Sequence, residues 1–118
     1  MKRTKLQRIK QRKIRVRSGI FGTGDRPRIT IFRSNRYTYT QAIDDSKRRT
    51  LESSSSRDTN DKQEKTKKTD VAKEVGKILA QKLMKKGIKK GLFDRGSYAY
   101  LGRVKAVAQG LREGGLAI

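Results

Sequence analysis

Cysteine is absent from this sequence, and so is histidine. Without cysteine there can be no disulfide, no thiolate zinc site and no thiol nucleophile. Without histidine the chain lacks the commonest general base near neutral pH and the commonest metal ligand. Tryptophan is missing too, and there is a single proline. With three phenylalanines, four tyrosines and 32% hydrophobic residues, the core must be small, near the lower limit for independent stability, and a large partner would help to order it. No apolar run approaches the roughly 20 residues of a membrane-crossing helix, and nothing near Met1 has the apolar centre of a secretory signal. A soluble, unsecreted protein with no membrane partner is therefore expected. A basic transit peptide is disfavoured because Ser18 is the only serine in the basic N-terminal stretch.

Acidic residues are also scarce: 11 stand against 32 lysines and arginines, a formal charge of +21. The excess is uneven. Residues 1–36 hold thirteen of the basic residues and one acid, Asp25. Such a charge favours a polyanionic partner. A length of 118 residues fits one domain, here read as a basic arm over 1–21 and a globular unit over 22–118.

The opening MKRTKLQRIKQRKIRVR carries nine cations, Lys2, Arg3, Lys5, Arg8, Lys10, Arg12, Lys13, Arg15 and Arg17, and no acid. If helical, it places Leu6, Ile9, Val16 and Ile20 loosely on one side, interrupted by Lys13. It reads as an arm, disordered or frayed alone and ordered on a polyanion. A solvated tail is the plainer alternative. A membrane-surface helix is the other, but the apolar side lacks aromatic anchors.

GIFGTGDRP, residues 19–27, is an irregular link, and Pro27 suits the start of a strand. Strands are expected over Arg28 to Arg33, Tyr37 to about Asp44 and, more weakly, residues 49–55, with a turn at Ser34, Asn35 and Arg36. Residues 57–68 form a polar loop. Asp70 or Thr69 can cap a helix whose apolar positions run Val71, Ala72, Val75, Ile78, Leu79 and Leu83, closed by Gly87. Ile88 to Phe93 is one more short strand, 94–102 a loop, and Arg103 to Glu113 a last helix stopped by Gly114 and Gly115. The order β-β-β-α-β-α implies a two-layer α/β fold: a mixed sheet with both helices on one face and the other face open.

Chemistry separates the candidate functions. Asp44, Asp45 and Asp94 are the nearest thing to a metal-nuclease cluster, but neighbours on a strand point to opposite faces, so Asp44 and Asp45 do not converge. There is no phosphate-binding glycine loop of the P-loop type and no serine with an imidazole partner. No enzyme, cofactor, metal or small-molecule substrate is expected. RNA suits the chain better. Arg28, Arg33, Arg36, Tyr37 and Tyr39 join guanidinium forks to stacking rings in one hairpin, and Arg95, Tyr98, Tyr100, Arg103 and Lys105 repeat the combination in the last loop and helix start. Backbone N–H groups beside Gly102 add a phosphate donor set. Core filling remains the alternative for Tyr37 and Tyr39, whose face the alternation leaves open. For Asp94 the alternative is a structural one, capping its loop or neutralising Arg95. No helix-turn-helix or zinc-finger spacing is present, which favours irregular RNA over duplex DNA.

Residues 22–44, GTGDRPRITIFRSNRYTYTQAID, resemble a signature of the bacterial large-subunit ribosomal protein L-eighteen family, "RPRL-VFRSN-YAQ-ID". Residues 71–116 look like that family's helix, its "FDRG-Y-Y-GRVKA-A" loop and its closing helix. The resemblance implies binding to 5S rRNA, its attachment to 23S rRNA beside neighbouring 5S-binding proteins in the central protuberance, and no catalysis. It places the protein in the cytoplasm within the large ribosomal subunit, with an organellar ribosome left open. By motif it carries over Arg26, Arg28, Arg33, Ser34, Asn35 and Tyr39, then Asp94, Arg95, Gly96, Tyr98, Tyr100, Gly102, Arg103 and Lys105, and it likens residues 1–17 to an RNA-penetrating arm. Ser97 and Leu101 depart from the family's usual glycine and histidine. A free-standing regulatory RNA binder or RNA chaperone is the alternative function.

Overall fold

A computed structural model describes residues 4–17, 20–58 and 67–118, the side chains of 12–17 and 58 excepted. Three helices and one four-stranded sheet account for it: α1 (Lys5–Arg17), β1 (Arg28–Arg33), β2 (Thr38–Asp44), β3 (Arg49–Ser55), a short 3-10 turn (Ser56–Asp58), α2 (Lys68–Lys85), β4 (Leu92–Asp94) and α3 (Gly102–Glu113). The strands lie in the order β3-β2-β1-β4. β1 is antiparallel to β2 and parallel to β4, so the sheet is mixed, as the element order implied.

The sheet separates its residues cleanly. On one face Ile29, Ile31 and Ala42 are buried, and they pack against Ala72, Leu79 and Leu83 of α2 and Val104, Val107 and Leu111 of α3. Facing positions in β2 and β3 are small or polar: Thr38, Thr40 and Ser54. That lets α2 lie close. The opposite face carries Arg28, Thr30 and Phe32, which pair across to Ile43, Gln41 and Tyr39. Helices α2 and α3 both sit on the first face.

The hairpin between β1 and β2 turns where Ser34 and Asn35 favour it. Ser34 N–H donates to the Tyr37 carbonyl at 2.8 Å, and the Ser34 hydroxyl oxygen accepts the Tyr37 N–H at 3.1 Å. Residues 49–55 form the third strand, as expected, with a bulge opposite Ala42 and Ile43. β3 is a sheet edge, and two lysines of α2 and its C-terminal cap reach it. Lys82 Nζ donates to the Ser53 carbonyl at 2.8 Å, and Lys86 Nζ donates to the Leu51 carbonyl at 2.9 Å.

α2 ends as its sequence predicts: Gly87 has φ +79°, Gly87 N–H donates to the Met84 carbonyl and Ile88 N–H to the Leu83 carbonyl. This is the paired closure in which a left-handed residue turns the chain back on the last turn. α3 closes in the same pattern, Gly115 to Arg112 and Leu116 to Leu111. Between the two helices, Gly76 and Gly110 form the crossing. A Cβ on Gly76 would fall on the Val107 carbonyl oxygen, and one on Gly110 on the Lys73 carbonyl oxygen. Lys73 and Lys77 of α2 pair with Glu113 of α3 at 2.8 and 3.3 Å.

Four details differ from expectation. Neither Asp70 nor Thr69 caps α2: the helix begins one residue before Thr69, with Lys67 as an extended cap residue that makes no side-chain hydrogen bond. The fourth strand starts at Leu92 rather than Ile88, because Ile88 is consumed in closing α2 and Lys90 pairs with Ala117 instead. Asp94 is the last residue of that strand, and Gly102 is the first of α3. Residues 5–17 are helical, with Leu6 exposed and Ile9 half-buried. Of the expected polar loop, residues 59–66 lie outside the described residues, as do Lys2 and Arg3.

Candidate nucleic-acid interface

Two segments about 65 residues apart meet at one end of the sheet. Arg33, at the end of β1, sets its guanidinium 4.7 Å from the centre of the Tyr98 ring, and its N–H donates to the Tyr98 hydroxyl at 3.4 Å. Arg103, in the first turn of α3, donates to the Ser34 carbonyl at 2.8 Å. Arg95 steadies the loop by donating to the Tyr98 carbonyl at 2.7 Å. Members of both clusters of cations and tyrosines seen in the sequence thus form one surface.

Its electrostatics are lopsided. Burial, followed by the neighbouring Arg33 cation, pushes the Arg103 guanidinium below its ordinary pKa. Neither Arg33 nor Arg103 makes an ion pair among the described residues. Two close cations that lack a carboxylate are relieved by a bound anion, and the planar guanidinium fork fits phosphate. α3 starts beside them after Leu101, an extended cap residue that makes no side-chain hydrogen bond to the first-turn N–H groups.

Arg28 behaves in the opposite way. Its Nε and Nη2 donate to the two oxygens of Asp45 at 2.9 and 3.0 Å, and Nη1 donates to Asp94 at 2.9 Å. The hydrogen bond to Asp45 leads the causes that raise its pKa. Arg28 is a brace between the start of β1, the end of β2 and β4. Asp94 is buried, capping its loop by accepting the Gly96 N–H at 2.8 Å. The cation that holds it is Arg28, from the neighbouring strand. Asp44 and Asp45 diverge as neighbours on a strand should: Asp45 faces Arg28, while Asp44 accepts from the Ser46 hydroxyl and from the Ser46 and Lys47 N–H groups. No group of three or more carboxylates suited to a metal occurs among the described residues.

Tyr37 and Tyr39 lie on the open face. Tyr39 is flanked by Phe32, with ring centres 5.9 Å apart, and by Tyr37 at 6.2 Å, while the Arg57 guanidinium lies 5.3 Å from the Tyr37 ring centre. Phe32 belongs to this surface; in the sequence it is set apart by its break in the strand's alternation and by its place in the family-like turn from Phe32 to Asn35. It is 60% exposed. Tyr100 sits apart, edge-on to Phe93 and accepting from Arg112 at 3.2 Å. Arg26, Arg36 and Lys105 are exposed, as are Asn35 and, in α1, Lys5, Arg8 and Lys10. The side chains of Arg12, Lys13, Arg15 and Arg17 lie outside the described set.

Comparison with known proteins shows the family of the chain. The family model described as ribosomal L18 of archaea, bacteria, mitochondria and chloroplast matches residues 3–118. The large ribosomal subunit protein uL18 of Thermotoga petrophila is 49% identical over 114 residues, covering 95% of this chain and 93% of its own. That of Exiguobacterium sibiricum is 50% identical over 107 residues, covering 91% and 89%, and that of Staphylococcus haemolyticus 46% over 106 residues, covering 90% and 88%.

Proposed function

The chain belongs to the L18 family of ribosomal proteins, whose role is structural and not enzymatic, and on that footing we propose that it binds 5S rRNA and attaches it to 23S rRNA within the large ribosomal subunit. The central protuberance, beside other 5S-binding proteins, is the place this assigns it. The observation that carries the RNA-binding part is the joining of Arg33, Ser34, Tyr98 and Arg103 into a cationic, ring-bearing surface, its two arginines without a carboxylate partner among the described residues. Affinity then comes from phosphate neutralisation, and selectivity from the shape of an irregular RNA. Arg28 serves as scaffold, and the cations Arg26, Arg36, Arg95 and Lys105 extend the surface.

The direct test is retrieval of the tagged protein followed by sequencing of the bound RNA. Enrichment of 5S rRNA supports the assignment, and a scatter of messenger RNAs would replace it with the regulatory alternative. A gel-shift series with 5S transcript localises the surface. Arg33→Ala combined with Arg36→Ala should weaken binding more than twofold and flatten the log-log salt dependence by about 0.7 to 0.9 for each phosphate no longer neutralised. Unchanged binding would remove the hairpin from the interface.

A further inference from the structure

The open sheet face holds a shallow cavity of about 430 Å³ lined by Thr30, Phe32, Ser34, Tyr39, Thr40 and Gln41. We propose that it seats one unpaired nucleobase of the bound RNA, stacked on Phe32 and Tyr39, with the adjoining backbone phosphate at Arg33 and Arg103. The idea rests on the RNA-binding reading above and assigns a stacking role to Phe32.

Three observations support it. First, a chain with three phenylalanines leaves Phe32 60% exposed, directly opposite Tyr39 across the β1–β2 pair. The two rings are tilted by 37°, so they form an open apolar angle on the surface rather than a closed stack. Base stacking on aromatic side chains of an exposed sheet is a recurrent means of holding single-stranded RNA. Second, the next cross-strand pair on this face is Thr30 with Gln41. A hydroxyl and a carboxamide offer both donors and acceptors, which suits the edge of a base lying on the rings.

Third, the charges fit a nucleotide and not an apolar protein segment. Ser34 lines the cavity, and its carbonyl receives Arg103, whose neighbour is Arg33. Asp94, the carboxylate that ends β4, is already held by Arg28. Arg33 follows Phe32 in β1 and so lies on the other side of the strand, with Arg103 of α3; a backbone leaving the rings reaches both cations by rounding the hairpin turn at Ser34. A base with its phosphate matches that change from rings to cations. A paired base would keep its faces covered by its neighbours, so the site demands a bulged or looped residue.

The absence of tryptophan permits a clean fluorescence experiment. In the full chain, Phe32→Trp provides one emitter at the proposed stack, to be titrated with 5S rRNA transcript while filter retention reports binding. The expected result is saturable quenching that follows retention. Phe32→Ala should lower affinity about 5- to 100-fold with an unchanged salt slope, the signature of missing stacking, whereas Arg33→Ala should lower the slope. Tyr39→Leu, judged alongside a thermal melt, guards against a folding artefact at one position. Undiminished or merely blue-shifted emission from the introduced indole in a saturated complex, or affinity of Phe32→Ala within twofold of the parent, would overturn the stack and leave 5S rRNA binding intact. Failure of the parent chain to retain the transcript would overturn both.

Discussion

Arg28 and Arg103 are opposite uses of the same side chain. Arg28 makes three charge-assisted bonds to Asp45 and Asp94 and has been drawn into the scaffold. Arg103 is partly desolvated, faces another cation and holds a backbone carbonyl instead of an acid. Removing them should have opposite consequences. Arg28→Leu withdraws the cation from a fully buried Asp94 and should cost about 3 kcal/mol or more in urea unfolding, in line with breaking a buried pair from one side. Equal stability would refute the brace. Asp44 gives a pH prediction. The Ser46 hydroxyl, followed by N–H donors, holds its carboxyl below the ordinary value. A depressed folded pKa stabilises the fold above the unfolded value of about 3.9, and that contribution is lost as pH falls through the folded value. Ser46→Ala should therefore be less stable than the parent at pH 7, and the gap should close in acid. A gap that persists unchanged at low pH would assign the effect to something other than Asp44.

At the scale of elements, the crossing of α2 and α3 depends on two glycines. Gly76→Ala or Gly110→Ala must push a methyl into a facing backbone carbonyl, so each should cost about 1–3 kcal/mol in thermal or urea unfolding. A neutral result would mean that the helices can separate at no cost. These glycines were not legible as points of close approach, because helical periodicity reports which face is apolar and not how near the partner backbone comes. The strands were legible. Ile29 and Ile31 alternate with Arg28 and Thr30, and the Tyr, Thr and Ile of residues 37–44 favour the pleat, so β1, β2 and β3 lie where pattern puts them. β4 was displaced because an apolar run after a helix contains both the closing residue Ile88 and the strand itself. The face of Tyr37 and Tyr39 depended on where α2 packs, a long-range fact. So did the fate of Arg28, whose partners lie 17 and 66 residues away.

For the whole molecule the governing quantity is its charge of +21, which repels itself until an anion neutralises it. If α1 and the segment before it form a second RNA-binding surface, apart from the hairpin, deleting residues 1–17 should weaken attachment to large-subunit RNA more than binding to 5S rRNA. Paired gel shifts with the two RNAs measure this, and the reverse order would contradict the division. The meeting of Arg33 with Tyr98 and of Ser34 with Arg103 could be inferred only from composition repeated in two places, since no local pattern encodes a contact across 65 or 69 residues. Family motifs marked those same segments and made the turn from Phe32 to Asn35 a contact edge, but gave the Phe32 ring no role of its own.

The lysines that reach the rim of β3 bear on the protein's life before assembly. An unguarded outer strand invites a second copy to add its own strand and start a fibre. Lys82 and Lys86 occupy the Ser53 and Leu51 carbonyls with ammonium groups, Lys86 also pairing with Glu52 at 3.3 Å, so an approaching copy meets two acceptors already taken. Lys82→Ala with Lys86→Ala should therefore make concentrated, RNA-free protein turbid, and unchanged light scattering would refute the guard.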